Sequence, residues 1–400
     1  MATLDLTAAS DVLKEFYLPR LRLQLNDELS PMFSMLEKSS QQVEGEEVVF
    51  SIHTGRNPGT GSRLELGNLP TAGYQKYDKV RTDLKYHYGE IQFTGQVIRR
   101  AKSDKGSFIN AAANEMDRLA IDLKHVMNRQ LFNNSEASLF ACSGAATGQV
   151  VPVAGATDEQ WRSLVIGMIV DIGTTGVQAD EADSVVVASF SKSAETITFT
   201  GDVSGVTSGG FIRMEDSFGA ELTGLQAIIS EQDTLFQVDG TSVDVWNSYV
   251  DGNSGTNRNP TELLIQTAID EVSIACGAIP SLAIAPHDVV RNFGAQLTSQ
   301  KRYNDTTSLS GGFEGLDVAT GSGKVTLVSD RFAPANKIWL ANSDYLVFNE
   351  ASDWEWMEED GAVLERVASK DAYHATMFKY CELTTDKRNA HGVIEDVAGA

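Results

Sequence analysis

Two strand-like segments joined by a glycine-rich linker constrain this chain more than any other feature. Residues 46–55 (EEVVFSIHTG) and 75–101 are rich in aromatic and β-branched side chains that alternate with polar ones. The linker carries leucines at 64, 66 and 69, with no apolar segment beside them that could form a core. The pattern predicts a long two-stranded β-arm. Because an isolated hairpin is marginally stable in water, we expect this arm to rest on a neighbour.

Charge is distributed unevenly along the 400 residues, whose net charge is −23. Residues 63–105 hold nine Lys or Arg and five Asp or Glu, a net charge of +4, whereas residues 151–258 hold four bases and sixteen acids, a net charge of −12. The acidic total argues against a nonspecific nucleic-acid binder, which needs a basic face. Opposite charges on separate segments favour contacts between copies of the chain. The candidate contact residues are Leu64, Leu66, Leu69, Lys76, Lys79 and Arg81.

Length and cysteine content narrow the class of protein. A chain of 400 residues can bury a sizeable core, and two or three lobes are expected. No apolar run approaches the roughly 20 residues that a membrane-spanning helix needs, and the first residues do not resemble a secretion signal. The three cysteines are far apart and form no Cys-x-x-Cys pair, which indicates free thiols without a disulfide framework or a zinc site.

Helical and strand-like segments alternate along the rest of the chain, which predicts an α+β class. Residues 1–45 indicate an extended arm of short amphipathic pieces. The other predictions are a long helix at 105–132, short strands between glycine turns at 150–215, helices at 260–276 and from 288, a buried strand at 281–285, and strands over 324–383. Residues 150–215 therefore predict an inserted small β-domain, resembling a compact barrel.

The long helix is expected to pack one apolar face against a sheet. Its apolar residues recur at spacings of three and four, which is the pattern of a half-buried helix. This pattern predicts Met116, Leu119 and Leu123 on the sheet side, and Asp117, Lys124 and Asn128 on the solvent side.

Two motifs resemble binding sites for a nucleotide and a metal. The segment ATGSGKVT resembles a phosphate-binding loop, but both Val318 and Val325 depart from that pattern, so a turn containing Gly321, Gly323 and Lys324 is the better interpretation. The segment DGNSGTNRNPTE places Asp251, Asn253, Asn257, Asn259 and Glu262 at calcium-loop positions, yet Thr256 stands where that loop needs glycine. A polar loop leading into a helix cap explains the same residues.

No other motif indicates an active site. The six histidines show no metal-binding spacing, and no nucleophile elbow or dinucleotide-binding glycine pattern occurs. Trp354 and Trp356 share one face of a predicted strand, where a core or subunit contact is favoured over a ligand site. We therefore expect no catalytic residue, no cofactor and no bound metal.

The order of these parts resembles that of the tailed-bacteriophage major capsid proteins. The stretch GFEGLDVATGSGKVTLVSDRFAPANKIWLANSDYLVFNE, residues 312–350, is similar to the segment in that family where a glycine turn, an Asp-Arg-x-x-Pro element and an Asn-x-Asp element follow one another. The segments PTELLIQTAIDEV and APHDVVRNFGAQLTSQKRY resemble the paired helices of the family. The resemblance covers nearly the whole chain, and the same fold is shared with encapsulin nanocompartments and the herpesvirus capsid floor.

The resemblance implies a domain organisation. It would comprise an N-terminal arm (1–45), an extended β-hairpin loop (46–104), the spine helix of a peripheral domain (105–149), the inserted β-domain (150–215), a second part of the peripheral domain (216–280), an axial domain (281–345), and a return to the peripheral domain with a C-terminal tail (346–400). The loop tip would then lie on an adjacent subunit.

The resemblance also implies a function and partners. Copies would form hexamers and pentamers of an icosahedral shell around double-stranded phage DNA, held without sequence-specific contacts, in a virion capsid assembled in the bacterial host cytoplasm. Portal, scaffolding and decoration proteins would be the other partners, with no membrane. Scaffolding would be a separate protein or a segment already removed. The alternatives are an encapsulin-like nanocompartment shell, and a hydrolase or carbohydrate-binding protein that uses residues 150–215.

Overall fold

The computed structural model describes residues 31–40, 43–65, 67–96, 105–133, 138–174, 180–299, 306–308, 314–320, 323–358 and 363–399. The described residues form a mixed α+β structure with the helices α1 (Pro31–Met35), α2 (Lys105–Gln130), α3 (Asp158–Ser163), α4 (Leu225–Ile228), α5 (Glu262–Cys276) and α6 (His287–Ser299). Most of the predicted N-terminal arm, residues 1–30, lies outside the described residues.

The strands of the described residues are numbered in chain order. They are β1 (Glu37–Ser39), β2 (Val43–Glu44), β3 (Glu47–Gly55), β4 (Lys76–Asp83), β5 (Lys85–Thr94), β6 (Ser138–Ala141), β7 (Val150–Pro152), β8 (Ile169–Thr174), β9 (Asp180–Ser191), β10 (Thr196–Phe199), β11 (Gly210–Met214), β12 (Thr234–Leu235), β13 (Val238–Asp239), β14 (Tyr249–Asp251), β15 (Leu282–Ala285), β16 (Thr306–Ser308), β17 (Glu314–Thr320), β18 (Gly323–Ser329), β19 (Ile338–Ala341), β20 (Leu346–Trp356), β21 (Glu365–Arg366), β22 (Ala372–Thr385) and β23 (Gly392–Ile394).

The chain divides into two compact units, each built from separate segments. Among the described residues, unit one contains 31–34, 85–222 and 350–381, and unit two contains 35–84, 223–349 and 382–399. Strands β20 and β22 each contribute residues to both units, because the division falls inside them.

In unit one, the long helix α2 packs on the sheet that contains β5 and β22. These two strands pair antiparallel, from Ala372 opposite Thr94 to Cys381 opposite Lys85. A Cβ atom added at Gly89 of β5 would lie 2.9 Å from Cδ1 of both Leu119 and Leu123. The side chains of the helix therefore pack directly against the backbone of the strand at this glycine. The predicted sheet-facing side of the helix is therefore confirmed at these leucines, and Met116 is also buried.

The predicted solvent side of α2 is wrong at two positions. Lys124 and Asn128 are buried, although their polarity favoured exposure, and Asp117 is half-buried. Tertiary packing covers the side of the helix that carries these residues and overrides the amphipathic pattern there, while Ile121 and His125 stay exposed. Such burial needs polar partners for these side chains.

The rest of unit one is dominated by a six-stranded sheet in the region predicted as an inserted β-domain. The strand order is β6-β11-β8-β9-β10-β7. Its core contains Phe140, Trp161, Ile172, Ile197 and Phe199, which are all buried. The sheet begins at Ser138 rather than at residue 150, because β6 pairs with β11 and supplies Leu139 and Phe140 to this core.

In unit two, a seven-stranded sheet has the order β14-β23-β19-β15-β18-β17-β16. The predicted buried strand is confirmed as β15, whose four residues are all buried. Helices α5 and α6 pack on this sheet through Ile265, Ile269, Val289 and Phe293. Strand β23 lies inside the sheet, parallel to β14 and antiparallel to β19.

The ends of α5 follow local sequence signals. The hydroxyl of Thr261 accepts the backbone N–H of Leu264 at 3.2 Å and so caps the first turn. At the other end, Gly277 takes a left-handed conformation with a φ of 76°, and its N–H donates to the carbonyl of Ser273. The predicted limits of this helix are therefore confirmed within two residues.

The predicted β-arm is shorter than the sequence indicated. Strands β3 and β4 form the hairpin, from Glu47 opposite Asp83 to Gly55 opposite Lys76. The predicted single strand at 75–101 breaks at Leu84, which is buried and outside both strands, and the chain continues as β5 in the sheet of unit one. Thus only the first part of that segment belongs to the arm.

Candidate assembly surfaces

Two of the predicted contact residues, Leu64 and Leu69, lie on an exposed loop that connects β3 and β4, and the three basic ones lie on β4. Leu64 and Leu69 keep 88% and 87% of their surface exposed, although both side chains are large and apolar. Leu66 lies outside the described residues. Lys76 and Lys79 are exposed on β4, where no ion pair involves either of them within the described residues. The structure thus leaves two leucines uncovered beside a basic strand.

Arg81 differs from the other two basic residues of β4. Its Nη1 lies 3.8 Å from Oε2 of Glu47, and both side chains are nearly half exposed. Its backbone N–H donates to the carbonyl of Phe236 at 3.1 Å. Val48 and Val80, on the buried side of the hairpin, are fully covered. The base of the arm is therefore held within unit two, and the expectation that the arm depends on a neighbour for its stability applies only to the loop.

The loop narrows to a neck formed by Asn57, Gly59 and Gly73. Oδ1 of Asn57 accepts the N–H of Gly59 at 2.7 Å. A Cβ atom at Gly59 would lie 2.6 Å from the carbonyl oxygen of Thr71, and one at Gly73 would lie 2.8 Å from Cδ of Pro58. Only glycine permits so close an approach of the two chain segments. We call residues 60–70, beyond this neck, the loop tip.

Hydrogen bonds within the loop tip fix part of its shape. The N–H of Gly67 donates to the carbonyl of Leu64 at 2.9 Å, which closes a turn. Nε of Arg63 donates to the carbonyl of Asn68 at 3.0 Å. The tip therefore presents its leucines from a folded turn, and a binding partner would meet an already organised surface.

A second exposed surface, which sequence reasoning missed, lies on the sheet of unit one. Alternation along β5 and β22 places one set of side chains against α2 and the opposite set away from it. The second set includes Tyr86, Tyr88, Phe378 and Tyr380, which we call the aromatic face. The ring of Tyr380 lies 4.9 Å from that of Tyr86 and 5.0 Å from that of Phe378, measured between centroids. Tyr86 and Tyr88 remain 45% and 53% exposed.

A short 3-10 helix at Arg388–Ala390 in unit two carries a buried arginine that is hydrogen-bonded to several chain segments. Nε of Arg388, a fully buried side chain, donates to the carbonyl of Ile228 at 2.8 Å, and Nη1 donates to that of Trp246 at 3.1 Å. Nη2 forms an ion pair with Asp233. Burial lowers the pKa of Arg388, and the hydrogen bond and charge of Asp233 oppose this shift. Arg388 therefore joins three separate chain segments.

The motifs that resembled nucleotide and calcium sites have structural roles here. Lys324 forms an ion pair with Asp317 across the antiparallel pair of β17 and β18. The predicted turn at Gly321 lies outside the described residues and stays a prediction. In the calcium-like loop, Nη2 of Arg258 lies 3.0 Å from Oδ2 of Asp251. Oδ2 of Asp396 accepts the N–H groups of Asn253 and Gly255, which lowers its pKa. These contacts describe a polar loop that leads into the α5 cap.

Other predicted features take ordinary positions. Trp354 and Trp356 are buried on one face of β20. Cys142 and Cys381 are buried free thiols, and Cys276 is a half-buried one. In the described part of the chain, no group of three or more His, Cys, Asp or Glu side chains is arranged to hold a metal ion. Among the helices of those same residues, none has both the length and the apolar character required to cross a membrane.

Comparison with known proteins finds one family model and several solved structures that are similar to this chain. Residues 204–398 match the family model of the SU10 major capsid protein. No curated protein matches the chain. Among solved structures, the capsid protein of cyanophage A-1(L) is similar with a TM-score of 0.54 at 12% identity, covering 93% of this chain and 94% of that one.

Two further solved structures are similar at lower TM-scores. The SrpI encapsulin of Synechococcus elongatus has a TM-score of 0.47 at 12% identity, and the match covers 99% of this chain and 96% of that one. The capsid of the myovirus XM1 has a TM-score of 0.42 at 7% identity, and the match covers 92% of this chain and 93% of that one. The family match over residues 204–398 and the capsid fold shared with the cyanophage protein confirm the resemblance to the tailed-bacteriophage major capsid proteins that the sequence predicted.

Proposed function

We propose that this chain is the major subunit of a phage virion, in which copies form hexamers and pentamers of an icosahedral shell around double-stranded DNA. The net charge of −23 supports this role, because a shell must contain packed DNA without binding it tightly. Assembly would take place in the bacterial host cytoplasm, with portal, scaffolding and decoration proteins as further partners. The function is structural and non-catalytic, in keeping with the family.

The domain roles follow the same proposal. Helix α2 would be the spine of the peripheral domain, and the six-stranded sheet would be an insertion carried by some shell proteins and not by others. The strands β15, β18 and β19 in unit two would form the axial domain, supported by their place in one continuous sheet.

The observation that carries this proposal is the exposure of Leu64 and Leu69 on a basic loop. An apolar surface that a folded chain leaves open marks a contact site or an aggregation hazard. Complete burial of a leucine side chain contributes about 1.5–3 kcal/mol. We therefore propose that Leu64, Leu66 and Leu69 bury against an adjacent subunit, with Lys76, Lys79 and Arg81 orienting that contact.

A paired substitution tests this role. The Leu64→Ser and Leu69→Ser double variant should fold normally yet fail to form closed shells, because its fold does not depend on these exposed side chains. The matched control is Thr60→Ala with Ser62→Ala, which alters two exposed residues of the same loop tip. Sedimentation and electron microscopy would compare both variants with the parent chain.

Two results would contradict the proposal. Shells of normal number and stability from the leucine variant would remove the loop tip from assembly. A parent chain that forms no large assembly with scaffolding and portal proteins present would overturn the capsid role. DNA rather than a protein cargo inside particles made during infection separates a virion from a nanocompartment.

A further inference from the structure

The short hairpin of β12 and β13 in unit two ends in a strained turn. Its strands pair antiparallel with Leu235 opposite Val238, so the turn consists of Phe236 and Gln237 alone. These two residues take φ values of 52° and 66°, in the left-handed region. A two-residue turn of this kind is ordinarily built from asparagine and glycine, because larger side chains clash with their own backbone there. The chain therefore holds this turn at an energetic cost that an Asn-Gly pair would avoid.

The two ends of the hairpin are fixed to the rest of unit two. Oδ1 of Asn247 accepts the N–H of Gln232 at 2.9 Å, and Nδ2 of the same side chain donates to the carbonyl of Gly240 at 2.9 Å. The N–H of Gly240 donates to the carbonyl of Asp233 at 3.0 Å. Asp233 also forms the ion pair with the fully buried Arg388. Because both ends are held, movement of the whole hairpin cannot relieve the strain at its tip.

The tip of the hairpin contacts the base of the β-arm through one backbone hydrogen bond. The N–H of Arg81 in β4 donates to the carbonyl of Phe236 at 3.1 Å, and β13 lies beside β4 at this point. Within the described residues, β4 pairs with no strand other than β3. The hairpin therefore covers the other edge of β4 at a single position, and this contact ties the base of the arm to the strained turn.

The contact is held by a small margin of free energy. The net contribution of one backbone hydrogen bond is of the same order as the strain of one left-handed residue. Burial of the Phe236 side chain adds to the closed arrangement. A permanent cover for the edge of β4 would be served better by an unstrained turn, so the strain favours a contact that opens. Arg81 can then separate from Phe236 without unfolding of unit two.

We propose that the β12–β13 hairpin is a releasable latch on the base of the β-arm. The latch is closed when the carbonyl of Phe236 accepts the N–H of Arg81, and open when the turn at Phe236 and Gln237 relaxes. This inference rests on the proposed function, in which one chain occupies both hexamers and pentamers. Neighbouring subunits meet at different angles in rings of six and of five, so the base of the arm needs more than one arrangement. A latch that opens easily allows both arrangements.

Amide hydrogen exchange in the unassembled chain tests whether the latch opens by itself. The amide of Ile284 in β15 is the reference, because that strand is paired on both sides in the sheet of unit two. Arg81 should exchange faster than Ile284. Its rate should depend little on low concentrations of urea, since opening of the latch exposes little surface, whereas the rate at Ile284 should rise with urea.

Substitution of Gln237 changes the strain without removing a buried side chain, because Gln237 is exposed. Gln237→Gly relieves the strain, and Gln237→Val increases it, since a β-branched side chain is poorly tolerated at positive φ. Exchange at Arg81 should become about tenfold slower in the glycine variant and about tenfold faster in the valine variant.

Thr234→Gly and Thr234→Val are the matched controls, at an exposed position of β12 in the same hairpin. Thr234 does not have a positive φ, so glycine relieves no strain there and valine suits the strand. We therefore expect the opposite order of exchange rates at Arg81, faster with glycine than with valine. Circular dichroism verifies the folding of all four variants. If Gln237→Val does not fold, the comparison of the two glycine variants decides the question.

The yield of closed shells tests the role of the latch in assembly. In Gln237→Gly the latch stays closed, so the open population and with it the yield should fall about tenfold. Thr234→Gly should form shells at the yield of the parent chain or above it. Light scattering and electron microscopy measure this yield.

Three results would overturn the inference. Exchange of Arg81 at the rate of Ile284 would show that the latch does not open separately. The same order of rates at Gln237 and at Thr234 would show that the turn is not strained. A normal yield of shells from Gln237→Gly, despite slower exchange, would remove the latch from assembly.

The same measurements separate this inference from the proposed function. In each of those three cases, loss of shells in the Leu64 and Leu69 double variant would leave the proposed function intact. A parent chain that forms no shells would contradict the proposed function, whereas the exchange rates of the unassembled chain would still decide whether the latch opens.

Discussion

Nε2 of His391 lies 2.9 Å from the hydroxyl oxygen of Thr385, inside unit two where the imidazole is completely buried. Its other ring nitrogen, Nδ1, accepts the backbone N–H of Asn342 at 3.2 Å. Nε2 must therefore carry the ring proton and donate it to Thr385, which fixes the neutral tautomer. Burial lowers the pKa of His391 to about 3, because the charged ring would lose its hydration.

Stability should consequently fall in mild acid. His87 has its pKa lowered to about 4, first by burial and then by the charges of Lys379 and Lys85. Both histidines take up protons near pH 6.5 when unfolded but not when folded, so the unfolded chain binds more protons below that pH. The free energy of unfolding should decrease as the pH falls from 6.5 to 4, by on the order of 1 kcal/mol per pH unit for each histidine. Urea denaturation of unassembled chain at several pH values measures this.

A pair of variants isolates the effect. His391→Gln should reduce the slope of stability against pH, whereas His125→Gln, on an exposed position of α2, should leave it unchanged. A parent chain whose unfolding free energy stays constant from pH 6.5 to 4.5 would contradict the assigned pKa shifts.

Removal of the Arg388 side chain should be among the most damaging substitutions in unit two. Arg388→Met would leave the carbonyls of Ile228 and Trp246 and the carboxylate of Asp233 without their donor, at a cost of about 3–5 kcal/mol. Arg331→Met, at an exposed arginine of the same unit, should cost less than about 0.5 kcal/mol. Chemical denaturation of both variants provides the comparison. Equal losses of unfolding free energy in the two variants would mean that the hydrogen bonds of Arg388 do not stabilise unit two.

Truncation of Leu123 tests the packing of α2. Leu123→Ala should lower the unfolding free energy by about 2–5 kcal/mol, because the side chain fills the space against Gly89. Ile121→Ala on the same helix changes a side chain that is 42% exposed, and should cost much less. A similar loss at both positions, measured by thermal unfolding, would show that the helix is oriented differently.

A single methyl group at the neck of the loop should interfere with assembly without unfolding the chain. The added Cβ of Gly73→Ala would lie 2.8 Å from Cδ of Pro58, which forces the two segments of the neck apart. At Gly61→Ala, the nearest atom is the end of the flexible Arg63 side chain, so this variant is the control. We expect normal thermal unfolding for both variants and a reduced yield of shells for Gly73→Ala alone. Equal yields would mean that the shape of the neck has no role.

The limits of the six-stranded sheet predict which fragment folds alone. A fragment of residues 138–215 contains all six strands, whereas one of residues 150–215 lacks β6 and with it the buried Leu139 and Phe140. The longer fragment should give dispersed amide signals in NMR spectra, and the shorter one should not. Folding of the shorter fragment would restore the boundary that the sequence indicated, and disorder of both would show that the sheet depends on the rest of unit one.

Local signals in the sequence predicted much of the secondary structure. The periodicity of apolar residues was sufficient to predict helix α2. The capping residue Thr261 and the glycine at 277 marked the two ends of α5. The break at Leu84 was not predictable, because strand alternation continues through it and only the pairing of β5 with β22 separates the two strands. The burial of Lys124 was likewise set by tertiary packing and not by the pattern of its own helix.

Of the two candidate surfaces, one could be predicted from the sequence and the other could not. The loop was recognisable from its leucines and its charge, since both are properties of one continuous segment. The aromatic face was not, because Tyr86 and Tyr88 meet Phe378 and Tyr380 only through a long-range strand pairing. The two tyrosines alone resembled an ordinary strand, and no local signal joined them to their partners.

The interior position of β23 has a consequence for the order of events during synthesis. This strand is made after every other strand of its sheet, yet it lies between β14 and β19 and supplies Ile394 to the core. The ribosome must therefore release residues 392–394 before the sheet can close, and helix α5 has its full packing surface only from that moment. A nascent chain on the ribosome consequently has an open gap between β14 and β19 until residues 392–394 have emerged.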